Sequence, residues 1–271
     1  NVQHDAEITV EMNPGTVSKS DFQHYKECGV NRISFGVQSL DNSLLKFLGR
    51  IHSKEDFINA YNWARDIGFD NINADLIFGI PGQSIKQFSN TLKEILLLNL
   101  DHISAYSLIV EPDTKLDFMI DKGYVSEPSD ADDREMYKLC CDMLKAEGYN
   151  HYEISNFSKA DRECIHNIRY WVGGDYLGMG LGAASLINKK RFNNTSKFNE
   201  YIAGINNIYN KFELTEKEFM DEYMMLGFRM INGPDKKGFV SRFGIDYETI
   251  YGDILEDLVR KGLIEKNSIG N

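Results

Sequence analysis

The sequence predicts an α/β fold: a parallel β/α sheet, open or closed into a barrel, followed by a winged-helix-like C-terminal domain. Three observations lead there. Strand-like and helix-like segments alternate through residues 1–110, the pattern of a parallel sheet with crossover helices. The rhythm changes after "EPDTKL", where residues 113–147 become mostly helical and charged. From Phe212 onward three helical segments follow one another and end in the start of a strand.

Each element has its own signal. "AEITVEMNP" reads as the first strand and "SKSDFQHYKECG" as a helix ended by Gly29. "NRISFGVQS" is a strand. "DNSLLKFLG" and "SKEDFINAYNWARDIG" are helices, the longer one opening at Ser53 with Asp56 three residues on, an N-cap arrangement. "NINADLIFGIPG", "SIKQFSNTLKEILLLN" and "HISAYSLIV" continue as strand, helix and strand. After the charged helical stretch, "HYEISNFS" reads as one strand and residues 197–210 as a helix. "LTEKEFMDEYMMLGFRMI", "DKKGFVSRFG" and "YETIYGDILEDLVRKGL" are the last helices, and "IEKNS" begins a strand. Three domains are expected, at residues 1–112, 113–210 and 211–271.

Composition narrows the function. With 42% hydrophobic and 26% charged residues the chain reads as soluble and globular. A net charge of −11 argues against nucleic acid, whose phosphates need clustered Lys and Arg. Residues 210–271 carry 9 basic and 12 acidic side chains, so their helices suit packing better than DNA binding. No apolar run is long enough for a transmembrane segment, and no secretory signal is visible. The four cysteines, Cys28, Cys140, Cys141 and Cys164, form no CxxC or CxxxCxxC, so spacing yields no zinc or iron–sulfur ligand set. Low cysteine use suggests a reducing, cytoplasmic setting. The first residue is Asn, and the text is expected to be part of a longer polypeptide.

Chemistry-bearing residues gather at strand ends. In a β/α barrel the loops after the strands open on one face and carry the site. Glu11, Gln38, Arg50 and Asp75 lie at or near such ends. Asp75 sits inside the apolar run "INADLIFGIPG", where a carboxylate needs a partner to offset desolvation. Two acids, an amide and a guanidinium suit hydroxyls, an amino group and a carboxylate, an inventory that fits an amino-acid nucleoside such as S-adenosylmethionine. Singly, each of the four also reads as a structural hydrogen bond or ion pair.

"EITVEMNPGTV", "GVNRISFGVQS", "LGRIHS", "NADLIFGIPGQS" and "YSLIVEPDT" resemble the radical-SAM family of oxygen-independent coproporphyrinogen III oxidases and their relatives. "CIHNIRYW...GDYLGMGLGAAS" resembles its haem-chaperone branch. The resemblance implies a partial parallel β/α barrel of the radical-SAM type. It implies that Glu11 and Gln38 contact the ribose and amino-acid moiety of S-adenosylmethionine, that Arg50 pairs with its carboxylate, that Asp75 lies at the ribose, and that Ala105, Tyr106 and Ser107 lie against the adenine. His52 would support this site. The family's CxxxCxxC for a [4Fe–4S] cluster and its GGGTP stretch are absent from this sequence. The barrel's N-terminal units are therefore expected to be missing, and the chain alone to be inactive, with no metal ligands of its own. For the intact protein the resemblance implies haem binding and delivery to haem-dependent acceptor proteins, membrane-associated acceptors allowed. The alternative is oxidative decarboxylation of coproporphyrinogen propionates to vinyls.

"ECIHNIRYWVGGDYLGMGLGAAS", residues 163–185, admits three readings. Cys164-x-His166 supplies two metal ligands without companions. "GMGLGAAS" has GxGxxA spacing but no βαβ context for a phosphate cradle, so close backbone approach and tight turns suit its glycines better. By resemblance, His166, Asn167, Tyr170 and Trp171 form an HNxxYW haem-associated motif, with His166 as candidate iron ligand; alternatively these side chains only pack.

Overall fold

The computed structural model describes residues 2–204 and 208–267, and divides the chain into two compact units, 1–163 and 164–271. In the first unit β1 (Thr9–Met12), α1 (Lys19–Glu27), β2 (Arg32–Gln38), α2 (Asn42–Phe47), α3 (Lys54–Ile67), β3 (Ile72–Phe78), α4 (Ile85–Leu97) and β4 (His102–Ser107) follow in order. Then come α5 (Lys115–Asp121), α6 (Asp130–Ala146), β5 (Asn150–Glu153) and β6 (Asn156–Ser158). The sheet order is β1-β2-β3-β4-β6-β5. The first four strands are parallel, while β6 runs antiparallel to β4 and to β5. The stretch expected as one strand, "HYEISNFS", is thus a hairpin, because Ile154 and Ser155 turn the chain between two short strands.

The period of two decides what each sheet face carries. Ile33, Phe35, Val37, Ile72, Ala74, Leu76, Ile103, Ala105 and Phe157 form the core face, against Phe22, Phe57, Phe88 and Met136 of the helices. The alternate positions are polar: Arg32, Ser34 and Gln38 on β2, Asn73 and Asp75 on β3, His102, Ser104 and Tyr106 on β4. Capping boxes at Ser53/Asp56 and Ser84/Gln87 start α3 and α4.

Those polar side chains bond to each other. Asn73 Oδ1 accepts from Ser104 Oγ at 3.2 Å and lies 2.6 Å from His102 Nδ1, and His102 Nε2 lies 2.8 Å from Tyr152 Oη. The set is consistent with a neutral imidazole that donates from Nδ1 and accepts at Nε2. Burial, with Arg32 adding to it, holds the His102 pKa well below the ordinary histidine value. Unfolding lets this group take up a proton below about pH 6.5. Its stability contribution is therefore complete above that pH and is lost as pH falls. Denaturant unfolding at pH 7.5, 6.5 and 5.5 should show stability declining by on the order of 1 kcal/mol per pH unit at the acid end. An equal midpoint at all three would contradict a buried neutral His102.

The second unit holds α7 (Ile165–Trp171), β7 (Ala184–Ile187), β8 (Lys190–Asn194), α8 (Phe198–Ala203), β9 (Ile208–Glu213), α9 (Glu216–Gly227), α10 (Lys236–Phe243) and α11 (Tyr247–Arg260). The strands β7-β8-β9 form an antiparallel sheet that the sequence reading did not anticipate. The helix expected over 197–210 stops at Gly204 (φ +68°), and from Ile208 the chain is strand; residues 205–207 lie outside the described residues. The three C-terminal helices pack around Tyr223, Phe239, Tyr247 and Tyr251. Residues 264–267 of the expected strand "IEKNS" form no strand, and Ser268 lies outside the described residues.

Candidate functional site

In the first unit Glu11 and Gln38 fall at or near the carboxyl ends of β1 and β2, whereas Asp75 lies midway along β3 and Arg50 stands in the loop between α2 and α3 rather than at a strand end. Glu11 is exposed near the end of β1 and pairs in register with Ser34 of β2. Ser34 Oγ donates to Asp75 Oδ2 at 3.1 Å, and Asn73 Nδ2 donates to Asp75 Oδ1 at 2.8 Å. Asp75, in register with Ser104, therefore finds donors within the protein. It needs no ligand to offset its desolvation, and still has lone pairs toward the polar face.

Gln38 and Arg50 each come close to the loop that follows β1, through Asn13. Gln38 ends β2 with φ +65°, a left-handed conformation uncommon for a side-chain-bearing residue. Arg50, just after α2, donates from Nη1 to Asn13 Oδ1 at 2.9 Å. Asn13 escaped the sequence reading. Its signal was the position two residues beyond Glu11, where the first strand gives way to a loop. His52 is buried (4% exposed) and lies 3.2 Å through Nε2 from the Val37 carbonyl, bracing the chain before Gln38; burial lowers its pKa, with Arg50 adding to the effect.

Ala105, Tyr106 and Ser107 do not act alike. Ala105 belongs to the apolar core, and Ser107 Oγ donates to Asp133 Oδ1 at 2.6 Å. Only Tyr106 stands on the polar face, where burial and the Asp75 charge push its phenol up to about 12.

In the second unit the HNxxYW spacing yields two i, i+4 pairs on α7, His166 with Tyr170 and Asn167 with Trp171. The exposed His166 ring meets Tyr170 edge-on at 4.9 Å, and Tyr170 meets Tyr176 at 4.5 Å. Trp171 is covered by the Arg229 guanidinium at 4.3 Å from the ring centre. Its indole Nε1 is buried and has no hydrogen-bond partner among the described residues.

Cys164 is buried at the start of α7 whereas His166 is exposed, and no group of three or more His, Cys, Asp or Glu is placed to hold a metal among the described residues. The glycine ladder is not a phosphate cradle. The N–H groups of Gly178, Gly180 and Gly182 already donate to Ser185 Oγ (2.9 Å), Tyr201 Oη (3.0 Å) and the Thr195 carbonyl (2.9 Å). Asn194 Nδ2 ties down the carbonyls of Gly178 and Gly180 at 3.2 and 2.8 Å.

Comparisons with known proteins bear on both units. The Radical SAM superfamily profile matches residues 2–95, and the HemN C-terminal domain profile matches residues 214–268. A protein of Bacillus subtilis (strain 168) named heme chaperone HemW is 38% identical over 266 residues, which cover 97% of this chain and 70% of that protein. The Escherichia coli (strain K12) protein of the same name is 34% identical, with 96% and 67% covered. The solved coproporphyrinogen III oxidase (HemN) of Escherichia coli, a radical SAM enzyme, superposes with a TM-score of 0.79 at 23% identity, over 95% of this chain and 63% of that one. That likeness concerns the fold. No described helix is long and apolar enough to cross a membrane.

Proposed function

The chain belongs to the heme chaperone HemW family, within the radical SAM superfamily, and from that membership we propose that the protein binds haem as cargo and hands it to haem-dependent acceptor proteins. The observation that carries the reading is the exposed His166 imidazole set against the edge-on ring of Tyr170. A neutral imidazole nitrogen ligates haem iron, and an exposed one can reach iron held against the protein surface. Tyr170 and Tyr176 supply aromatic surface for a porphyrin. Trp171, on the same helix, packs beneath the Arg229 guanidinium, and Asn167 lies one turn before it.

The family implies S-adenosylmethionine and a [4Fe–4S] cluster. The strand-end residues fit S-adenosylmethionine: Glu11 and Asp75 offer carboxylates to hydroxyl and ammonium groups, Arg50 offers a guanidinium to the carboxylate, and Gln38 and Tyr106 border them. Bound there, S-adenosylmethionine would supply radical chemistry when a reduced cluster delivers an electron. The cysteines described do not fit the cluster. Cys28 is exposed at the end of α1, Cys140 and Cys141 lie on α6, and Cys164 stands at the N-cap of α7, so they form no ligand set for it.

A haem titration with transfer to an apo acceptor tests the function. The full-length protein should bind haem and then surrender it to a haem-free haemoprotein. Conversion of coproporphyrinogen III propionates to vinyls by the reconstituted protein, without haem uptake, would replace this reading with the oxidase one.

A further inference from the structure

Three observations converge between the ends of β1 and β2. Asn13 accepts the Arg50 hydrogen bond at 2.9 Å. Its own backbone is fixed, because the Asn13 carbonyl takes the Thr16 hydroxyl at 2.7 Å and the Thr16 N–H at 3.3 Å. Gly36 opens the space between. A Cβ at Gly36 would stand 3.1 Å from Asn13 Oδ1 and 3.0 Å from Gln38 Nε2. Both distances are tighter than side chains ordinarily tolerate, so glycine lets the two amides close over the strand end.

We propose that Asn13 is a positioning residue that aims the Arg50 guanidinium at the carboxylate of the bound amino-acid nucleoside. This rests on the reading of the strand-end residues as an S-adenosylmethionine site. The chemistry favours an amide at this position. Guanidinium has five N–H donors in a planar fork, and one bond to Nη1 orients that plane while leaving the others for a carboxylate. A neutral amide does this without consuming the positive charge. An aspartate would accept the same hydrogen bond, neutralise Arg50 and repel the incoming carboxylate.

The test measures equilibrium binding of S-adenosylmethionine and of 5′-methylthioadenosine to the full-length protein. The second compound keeps the nucleoside and lacks the amino-acid carboxylate. Asn13→Ala should weaken S-adenosylmethionine roughly 3- to 10-fold, the worth of one oriented hydrogen bond, and leave methylthioadenosine unchanged. Asn13→Asp, nearly isosteric and expected to fold, should weaken S-adenosylmethionine at least about 10-fold through the lost charge pairing, again sparing methylthioadenosine. In an Arg50→Ala background Asn13→Ala should add nothing. Equal losses for both ligands, or none for S-adenosylmethionine, would overturn the assignment. Failure of the wild-type protein to bind either ligand would instead remove the reading on which it rests.

Discussion

In a haem titration followed by visible absorbance, His166→Ala is expected to lose the signature of axial imidazole ligation and to bind haem at least roughly 10-fold more weakly. Even residues that only orient a metal ligand cost about 10- to 100-fold in affinity when removed, so loss of the ligand itself should cost no less. His166 is exposed, and its ring is backed by Tyr170 and, beyond it, Tyr176. Truncation removes the imidazole and leaves the remaining aromatic surface in place, so weak, unligated haem association should persist. His151 is the control. It stacks on the core residue Phe157 at 4.2 Å and its Nε2 lies 3.3 Å from the Ile154 carbonyl, contacts that give it a packing role. His151→Ala should keep the wild-type haem spectrum. An unchanged spectrum in His166→Ala would show that the iron is held elsewhere and that the helix merely packs.

Legibility of the fold followed burial. The parallel strands could be read because alternate residues face a helix layer, and that constraint writes a period of two into "RISFGVQ" and "INADLIF". The strand β9, "IYNKFE", is exposed throughout, so no buried face imposes a pattern, and its first three residues, 208–210, fall inside the helix expected over 197–210. Ile208, Tyr209 and Phe212 were the available sign, being residue types that favour strands. Gly204 was the other, ending α8 in a left-handed turn.

The candidate site followed a different rule. Glu11, Gln38 and Asp75 could be named because charged or amide groups beside apolar strand residues demand an explanation, while Arg50, between α2 and α3, completed an inventory suited to an amino-acid nucleoside. Asn13 could not be named, since an asparagine entering a loop is ordinary turn chemistry. Its bond to Arg50 spans 37 positions and exists only once the strands are parallel neighbours. Tyr106 could be told apart from Ala105 and Ser107 only by the side of β4 it occupies.

Gly178→Ala should cost about 3 kcal/mol or more of local stability in the second unit, beyond the usual overpacking penalty of roughly 1–3 kcal/mol. The added Cβ would stand 2.2 Å from the Ala184 carbonyl oxygen and 2.9 Å from Ala183 Cβ. A backbone atom cannot rotate aside, so β7 or the loop must move, at the expense of the bonds to Ser185 and Asn194. Gly182 contrasts with it. A Cβ there meets nothing within 4 Å, but φ is +71°, so Gly182→Ala should cost only the left-handed penalty of about 1–2 kcal/mol. One glycine is required for space and the other for its dihedral angle. Hydrogen exchange of the β7 amides can rank them, with Gly178→Ala exchanging faster than Gly182→Ala and both faster than wild type. Equal protection in Gly178→Ala and wild type would contradict the close approach of Gly178 to the Ala184 carbonyl.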